Sequence, residues 1–202
     1  MAKAVIFDYG VGNLLSIKCA LERVGFTVSI GVGGQDLAKA AAIILPGVGS
    51  FTPAVEKLEC VKEVICGKIV EGVPLLGICL GLQLFFEESA EGSGIGLTFF
   101  KGNVVRLQGG LKIPHIGWNT LDIVKSCALF DGINDKGSYV YFVHSLYPMP
   151  VDESIVCAKT FYGTHFVSAV ADNNVFGLQF HPEKSGDVGL QILRNFARVV
   201  KR

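Results

Sequence analysis

The sequence predicts a single α/β domain over residues 1–202, built on a doubly wound, mostly parallel sheet with a smaller antiparallel extension. Two observations predict it. In the first half, short and nearly continuous apolar runs alternate with stretches of helical periodicity, the pattern of parallel strands covered on both faces. After Gly96 the apolar runs are shorter and joined by turns, which is the pattern of antiparallel pairing. A chain of 202 residues with 50% hydrophobic side chains can bury a full core without staples.

Residues 4–7 read as the first strand, after which Leu14, Ile17, Leu21 and Val24 recur at helical spacing up to Gly25, a residue suited to the position just past a helix. Residues 26–30 give a second strand and residues 42–45 a third, which ends at Pro46-Gly47. Residues 53–71 read as one helix, 73–78 as a fourth strand and 80–86 as a helical run. Further strands are expected at 103–107, 139–143, 155–160, 166–171 and 175–180. Glycine-rich residues 92–96 have no strand leading into them and read as a flexible connection. The last element, 188–200, is an amphipathic helix with Leu190, Leu193, Phe196, Ala197 and Val200 on one side.

Composition excludes several classes. Lys and Arg total 18 against 18 Asp and Glu, so no basic field exists for nucleic acid or anionic lipid. Charged residues are 18% of the chain, below the ~25% of an average domain, and mean hydropathy is +0.47. Both point to apolar surface covered by a partner. The chain reaches Asp8 after four apolar residues, too few for a secretory signal. Its longest uncharged apolar stretch, 73–86, is short of the roughly 20 residues that span a bilayer. A cytoplasmic protein without membrane contact is expected. Cys19, Cys60, Cys66, Cys79, Cys127 and Cys157 form no CxxC pair, which argues against a zinc site and a disulfide framework; most are expected to be buried small hydrophobes.

Open parallel sheets bind ligands beyond the carboxyl ends of their strands, so chemistry is sought at residues 8–13, 46–51 and 77–83. Gly77-Ile78-Cys79-Leu80-Gly81 follows an apolar strand and precedes a helical run, with small residues two positions either side of a central thiol. That is the arrangement of a nucleophile elbow, in which the helix start supplies backbone N–H groups and favours negative charge on sulfur. His181-Pro182-Glu183 closes the last strand and sets an imidazole and a carboxylate two residues apart on a stiff segment, a base and the group that orients it. Pro46-Gly47-Val48-Gly49-Ser50 offers backbone amides to an oxyanion. Each motif alone also fits a plain role: a structural Cys in a soft turn, a turn capping the last helix, a tight turn before a helix. Residues 8–13 carry Gly10 and Gly12, but Leu15 stands where a dinucleotide fingerprint needs its third glycine, so no nicotinamide or flavin is implied. His115 and His144 read as loop histidines and His165 as surface.

In their order and separation, Pro46-Gly47-Val48-Gly49, Gly77-Ile78-Cys79-Leu80-Gly81-Leu82-Gln83 and His181-Pro182-Glu183 resemble the triad-type class I glutamine amidotransferases. Asp8-Tyr9-Gly10-Val11-Gly12-Asn13, Ile113-Pro114-His115-Ile116-Gly117-Trp118-Asn119 and Tyr141-Phe142-Val143-His144-Ser145 are similar, more narrowly, to the glutaminase subunits of imidazole glycerol phosphate synthases. Leu82, Leu146 and Ile116 depart from the usual residues of that group. The resemblance covers essentially the whole chain and implies a flavodoxin-like fold. It also implies hydrolysis of L-glutamine without metal or cofactor, in a heterodimer with a (βα)8-barrel cyclase subunit that takes the ammonia. The implied roles are Cys79 nucleophile, His181 general base and acid, Glu183 orienter, and Gly47, Val48, Gly49 and Leu80 holding the oxyanion. Gln83, Ser145, Leu146 and Glu91 would bind glutamine, and Trp118, Asn119, Lys184 and Ser185 would meet the partner. Amidotransferases of other pathways, a cysteine hydrolase of another class and a non-catalytic binding module remain as alternatives.

Overall fold

The computed structural model describes residues 1–10, 14–47, 49–108 and 110–201. Its first half runs β1 (Lys3–Phe7), α1 (Leu14–Arg23), β2 (Thr27–Gly31), α2 (Gly34–Leu37), β3 (Ala42–Leu45), α3 (Phe51–Glu59), α4 (Lys62–Val70), β4 (Leu75–Ile78) and α5 (Leu80–Gln83). The second half adds β5 (Glu88–Ser89), β6 (Gly102–Arg106), β7 (His115–Ile123), β8 (Lys136–His144), β9 (Leu146–Pro150), β10 (Val156–Tyr162), β11 (Thr164–Asp172), β12 (Val175–Leu178) and α6 (Gly186–Val200).

The central sheet has the order β2-β1-β3-β4-β12-β11-β10-β7-β8. From β2 to β12 the pairing is parallel; β11, β10, β7 and β8 extend the same sheet antiparallel. A separate small sheet, β5-β6-β9, stands beside it. Successive residues of the parallel strands face opposite sides, and both sides are buried. Ala4, Ile6, Ala42, Ile44, Leu76 and Ile78 pack with α1 and α6. Val5, Phe7, Ile43, Leu45 and Leu75 pack with Phe51 and Leu58 of α3 and Ile65 of α4. This is the doubly wound α/β fold with an antiparallel extension that the apolar runs predict. No helix among the described residues is long and apolar enough to cross a membrane.

Three expectations need correction. The helix expected over 53–71 breaks at Cys60 and Val61, where Val61 leaves helical geometry (φ −124°, ψ 0°) and enters the core without a Gly or Pro to mark the break. The run 80–86 is helical only to Gln83, because the Leu84 and Phe85 carbonyls accept from Leu97 and Phe100 of the following loop instead of continuing the helix. Only Cys79 and Cys157 are buried; Cys19 in α1 and Cys60 just past α3 are exposed, Cys66 and Cys127 are half-buried, and all six are free thiols.

The carboxyl ends of β3 and β4 approach so closely that side chains are excluded. A Cβ at Gly81 would overlap the Leu45 carbonyl, one at Gly47 would overlap the Ile78 carbonyl, and one at Gly77 would sit 2.6 Å from the Gly81 carbonyl. Gly81→Ala is therefore expected to lower the unfolding free energy by about 3 kcal/mol, because backbone atoms cannot yield. Gly67→Ala in α4, where a Cβ meets nothing within 4 Å, should raise it by roughly 0.5–1 kcal/mol through lost unfolded-state entropy. Urea denaturation of both variants checks this, and equal effects would show that the contact does not hold the turn.

Candidate active site

Cys79 sits between β4 and α5 with φ +53° and ψ −102°, a conformation L residues seldom adopt. Its N–H donates to the Leu178 carbonyl at 2.7 Å, so the pairing of β4 with β12 continues into the turn. The thiol donates to the Val143 carbonyl at 3.7 Å and accepts from Gln179 Nε2 at 3.5 Å. Gly47 abuts this turn: a Cβ there would lie 2.7 Å from Cys79 Cβ.

β12 delivers His181 to the same place, with its N–H donating to the Tyr141 carbonyl at 2.9 Å. Pro182 opens a short 3-10 turn that folds Glu183 back, and Glu183 Oε1 lies 2.8 Å from His181 Nδ1. Burial alone would disfavour the charged imidazole, but the Cys79 sulfur on one side and the Glu183 carboxylate on the other outweigh it, and the His181 pKa is pushed up to about 10. Its other nitrogen, Nε2, is buried and unpaired among the described residues, as is Glu183 Oε2. A charged imidazole between a thiol and a carboxylate stabilises a thiolate nucleophile.

A cavity of about 250 Å³ opens over the sulfur, lined by Gly47, Gly49, Cys79, Leu80, Gln83, Glu91, Pro114, Val143, His144, Ser145 and Leu146. It gathers Gly47, Gly49 and Leu80 of the expected oxyanion group; Val48 lies outside the described residues, as do Val11, Gly12 and Asn13. All four expected glutamine contacts line it. The Gln83 amide nitrogen donates to the Leu146 carbonyl at 3.1 Å and to Gln179 Oε1 at 3.2 Å, and Glu91 Oε2 accepts from the Phe51 N–H at the start of α3. A larger cavity, about 420 Å³, lies at the far end of β7 around Lys125, Cys127 and Asp131, with no histidine in its lining.

The residues expected to meet a partner divide. Trp118 is 55% exposed and edge-on to Tyr141, whose ring also carries Lys184 Nζ 5.8 Å from its centre. Ser185 is not on this face. It is buried, with its hydroxyl donating to the His181 carbonyl and accepting from the Tyr141 N–H, so it braces the turn that carries His181. Asn119 is half-buried and turns its amide inward, to His115 Nε2 at 3.3 Å and the Phe161 carbonyl at 3.0 Å.

The family model described as "Glutamine amidotransferase class-I" matches residues 5–200. The chain belongs to the class I glutamine amidotransferase family. This amidotransferase is 49% identical over 199 residues to the "Imidazole glycerol phosphate synthase subunit HisH" of Archaeoglobus fulgidus, covering 98% of each chain. It is 49% identical over 201 residues to the protein of the same name from Pyrococcus furiosus, covering 98% of this chain and 100% of that one. Its fold is similar to that of PurLQS from Thermotoga maritima, with a TM-score of 0.80 at 20% identity over 98% of this chain and 99% of that one. It is also similar to a solved glutamine amidotransferase of Thermotoga maritima, with a TM-score of 0.70 at 15% identity over 100% of this chain and 99% of that one.

Sequence reasoning missed two parts of the amidotransferase site. Gln179, fully buried next to the thiol, is marked only by being the polar residue in the apolar run 175–180. His115 and His144 are not loop residues: they face each other on paired strands, 3% and 5% exposed, with His115 Nδ1 3.1 Å from His144 Nε2. His165 is exposed, as expected. Burial lowers the His115 pKa to about 4. For His144, burial outweighs the bond to the Leu146 carbonyl and, with His115 and His181 near, sets the pKa at about 3.

Because both values lie below the ~6.5 of an unfolded histidine, the unfolded chain takes up protons first as pH falls. The pair therefore costs nothing above about pH 6.5 and removes stability progressively as pH falls, His115 down to about pH 4 and His144 down to about pH 3. His115→Phe keeps the ring stacking and deletes one titrating group. Urea unfolding from about pH 7.5 to about 4.5 should show a shallower acid loss in this variant than in the wild type; parallel curves would refute the assignment.

Proposed function

We propose that this chain, as one amidotransferase domain over residues 1–202, is the glutaminase subunit of an imidazole glycerol phosphate synthase. It hydrolyses L-glutamine to glutamate and ammonia. The ammonia passes to a (βα)8-barrel cyclase subunit, which uses it to make imidazole glycerol phosphate and aminoimidazole carboxamide ribotide. The observation that carries the reading is the buried His181 imidazole held between the Cys79 sulfur and Glu183, with Cys79 and Gln83 lining one cavity. The relatives named as synthase subunits support the pathway and the partner.

The Cys79 sulfur attacks the side-chain amide carbon of glutamine, and the oxyanion is taken by backbone N–H groups of Leu80 and residues 47–49. His181 gives its proton to the leaving nitrogen, ammonia departs, and a γ-glutamyl thioester remains. His181 then takes a proton from water, the hydroxide oxygen displaces sulfur, and glutamate leaves. Glu183 keeps the imidazole in one orientation and stabilises its charge. Gln83, the main chain at Ser145 and Leu146, and Glu91 facing the ammonium end of the substrate hold the amino acid. Trp118 is the aromatic anchor for the cyclase subunit, with Lys184 over the neighbouring Tyr141 ring.

Cys79→Ala should abolish glutamate production while synthesis from free ammonia by the assembled synthase continues. His181→Ala should lower kcat by about 10²–10⁴-fold, and Glu183→Gln by less, since an orienter is lost and the base remains. Glutamate release from a clean Cys79→Ala preparation would sink the proposal. The partner reading has its own check: glutamate production should rise from the isolated chain to the complex, and again when a cyclase ligand is bound. Equal rates in the three states would remove the coupling and leave the thiol chemistry standing.

A further inference from the structure

A row of polar groups, buried from His115 onward, leads to the cavity, and the chemistry above uses only its last members. It begins at Asn119, whose Oδ1 accepts from the Thr120 N–H at 2.8 Å and whose Nδ2 donates to the Phe161 carbonyl and to His115 Nε2. It continues through His115 Nδ1 to His144 Nε2, and from His144 Nδ1 to the Leu146 carbonyl at 2.8 Å. The Leu146 carbonyl also accepts from Gln83 Nε2; Gln83 meets Gln179, and Gln179 donates to the Cys79 sulfur.

The directions of the bonds to the two rings follow from one carbonyl and from burial that keeps both rings neutral. A carbonyl only accepts, so His144 carries its proton on Nδ1. Its Nε2 is then an acceptor, so His115 must also carry its proton on Nδ1, leaving His115 Nε2 to accept from Asn119. Both nitrogens of both rings are used, and both rings are neutral. Packing holds the rings in place: His115 is stacked on Tyr162 with centres 4.0 Å apart and on Phe142 at 4.9 Å, and His144 lies 4.9 Å from Phe166. His144 and Leu146 flank Ser145, and these three form one wall of the cavity over Cys79.

We propose that His115 and His144 are positioning residues for glutamine: as a neutral pair they clamp the turn at residues 145–146 against Gln83 and fix the width of the cavity above the nucleophile. Neither ring touches the reacting atoms. The inference rests on the glutaminase reading, because what it positions is the glutamine-binding wall.

The test uses the full chain in complex with its synthase partner. His144→Phe keeps the ring packing and removes the donor to the Leu146 carbonyl. It should raise KM for glutamine about tenfold, the effect of losing one buried hydrogen bond, with kcat within about threefold. His144→Asn places a side-chain N–H where Nδ1–H stands and should restore KM to within about threefold of the wild type. Alkylation of Cys79 by iodoacetamide, followed at that peptide by mass spectrometry, needs the thiol but not the glutamine wall and should be unchanged in both variants. An unchanged KM in His144→Phe overturns the proposal. So does His144→Asn no better than His144→Phe, or alkylation that falls in parallel with KM effects, since each marks a merely structural role. A substrate-free readout separates this from the function itself. In ¹⁵N-histidine-labelled wild-type protein near neutral pH, His115 and His144 should both be neutral with the proton on Nδ1. An Nε2-protonated ring at either position overturns the pair even if glutamine is hydrolysed; absence of wild-type glutaminase with correct tautomers overturns the function, and with it the role toward glutamine, while the neutral pair itself stands.

Discussion

The close approach of the β3 and β4 chain ends is the constraint on which the rest of the site depends. Cys79 adopts a backbone conformation that costs on the order of 1–3 kcal/mol for an L residue, and it persists because its surroundings leave no other. Strand pairing pins its N–H to Leu178, and Gly47, Gly77 and Gly81 let three stretches of backbone meet where no side chain fits. The strain lifts the thiol out of the sheet to the head of α5, with the amides of the next turn beneath it.

Three buried histidines show how surroundings assign roles to one side-chain type. His181 lies between a thiol and a carboxylate and is driven toward its charged form; His115 and His144 lie among aromatic rings and are driven toward their neutral forms. The charged ring suits acid and base chemistry, and the neutral rings suit directed hydrogen bonding, which needs one donor and one acceptor per ring. Charge on His181 also makes protonation of His144 less favourable, so the two roles reinforce each other.

What is legible in the sequence is local in the chain. The thiol between glycines at the end of an apolar strand, and the His-Pro-Glu run closing another, need only a few neighbours to be read; the thiol lines the cavity and His181 pairs with Glu183. β7 reads as a motif and not as a strand because it lies at the outer part of the sheet, where Ile116 and Trp118 are exposed and its alternation is blurred by Gly117 and Asn119. β9 is hidden by Pro148 and Pro150, which are tolerated because the strand lies at the edge of the small sheet. The His115–His144 pair depends on the register between β7 and β8, which brings together residues 29 apart, and no local pattern encodes that pairing. Ser185 misleads for a related reason: it neighbours exposed Lys184 in sequence, but the 3-10 turn and the start of α6 point it inward.

The two-sided burial of β4 ties catalysis to strand alignment. Leu76 and Ile78 belong to one core and Leu75 to the other, with Gly77 against Gly81 and Phe85. Sliding β4 by a single residue along β3 and β12 would exchange the occupants of the two cores, bring a bulky chain against the Gly81 backbone, and turn the residue after the strand to the opposite side of the sheet. The hydrophobic sorting that makes such a slip unfavourable is thus also a gauge that measures out where the Cys79 sulfur stands, and fidelity of its position is enforced by side chains buried away from the cavity.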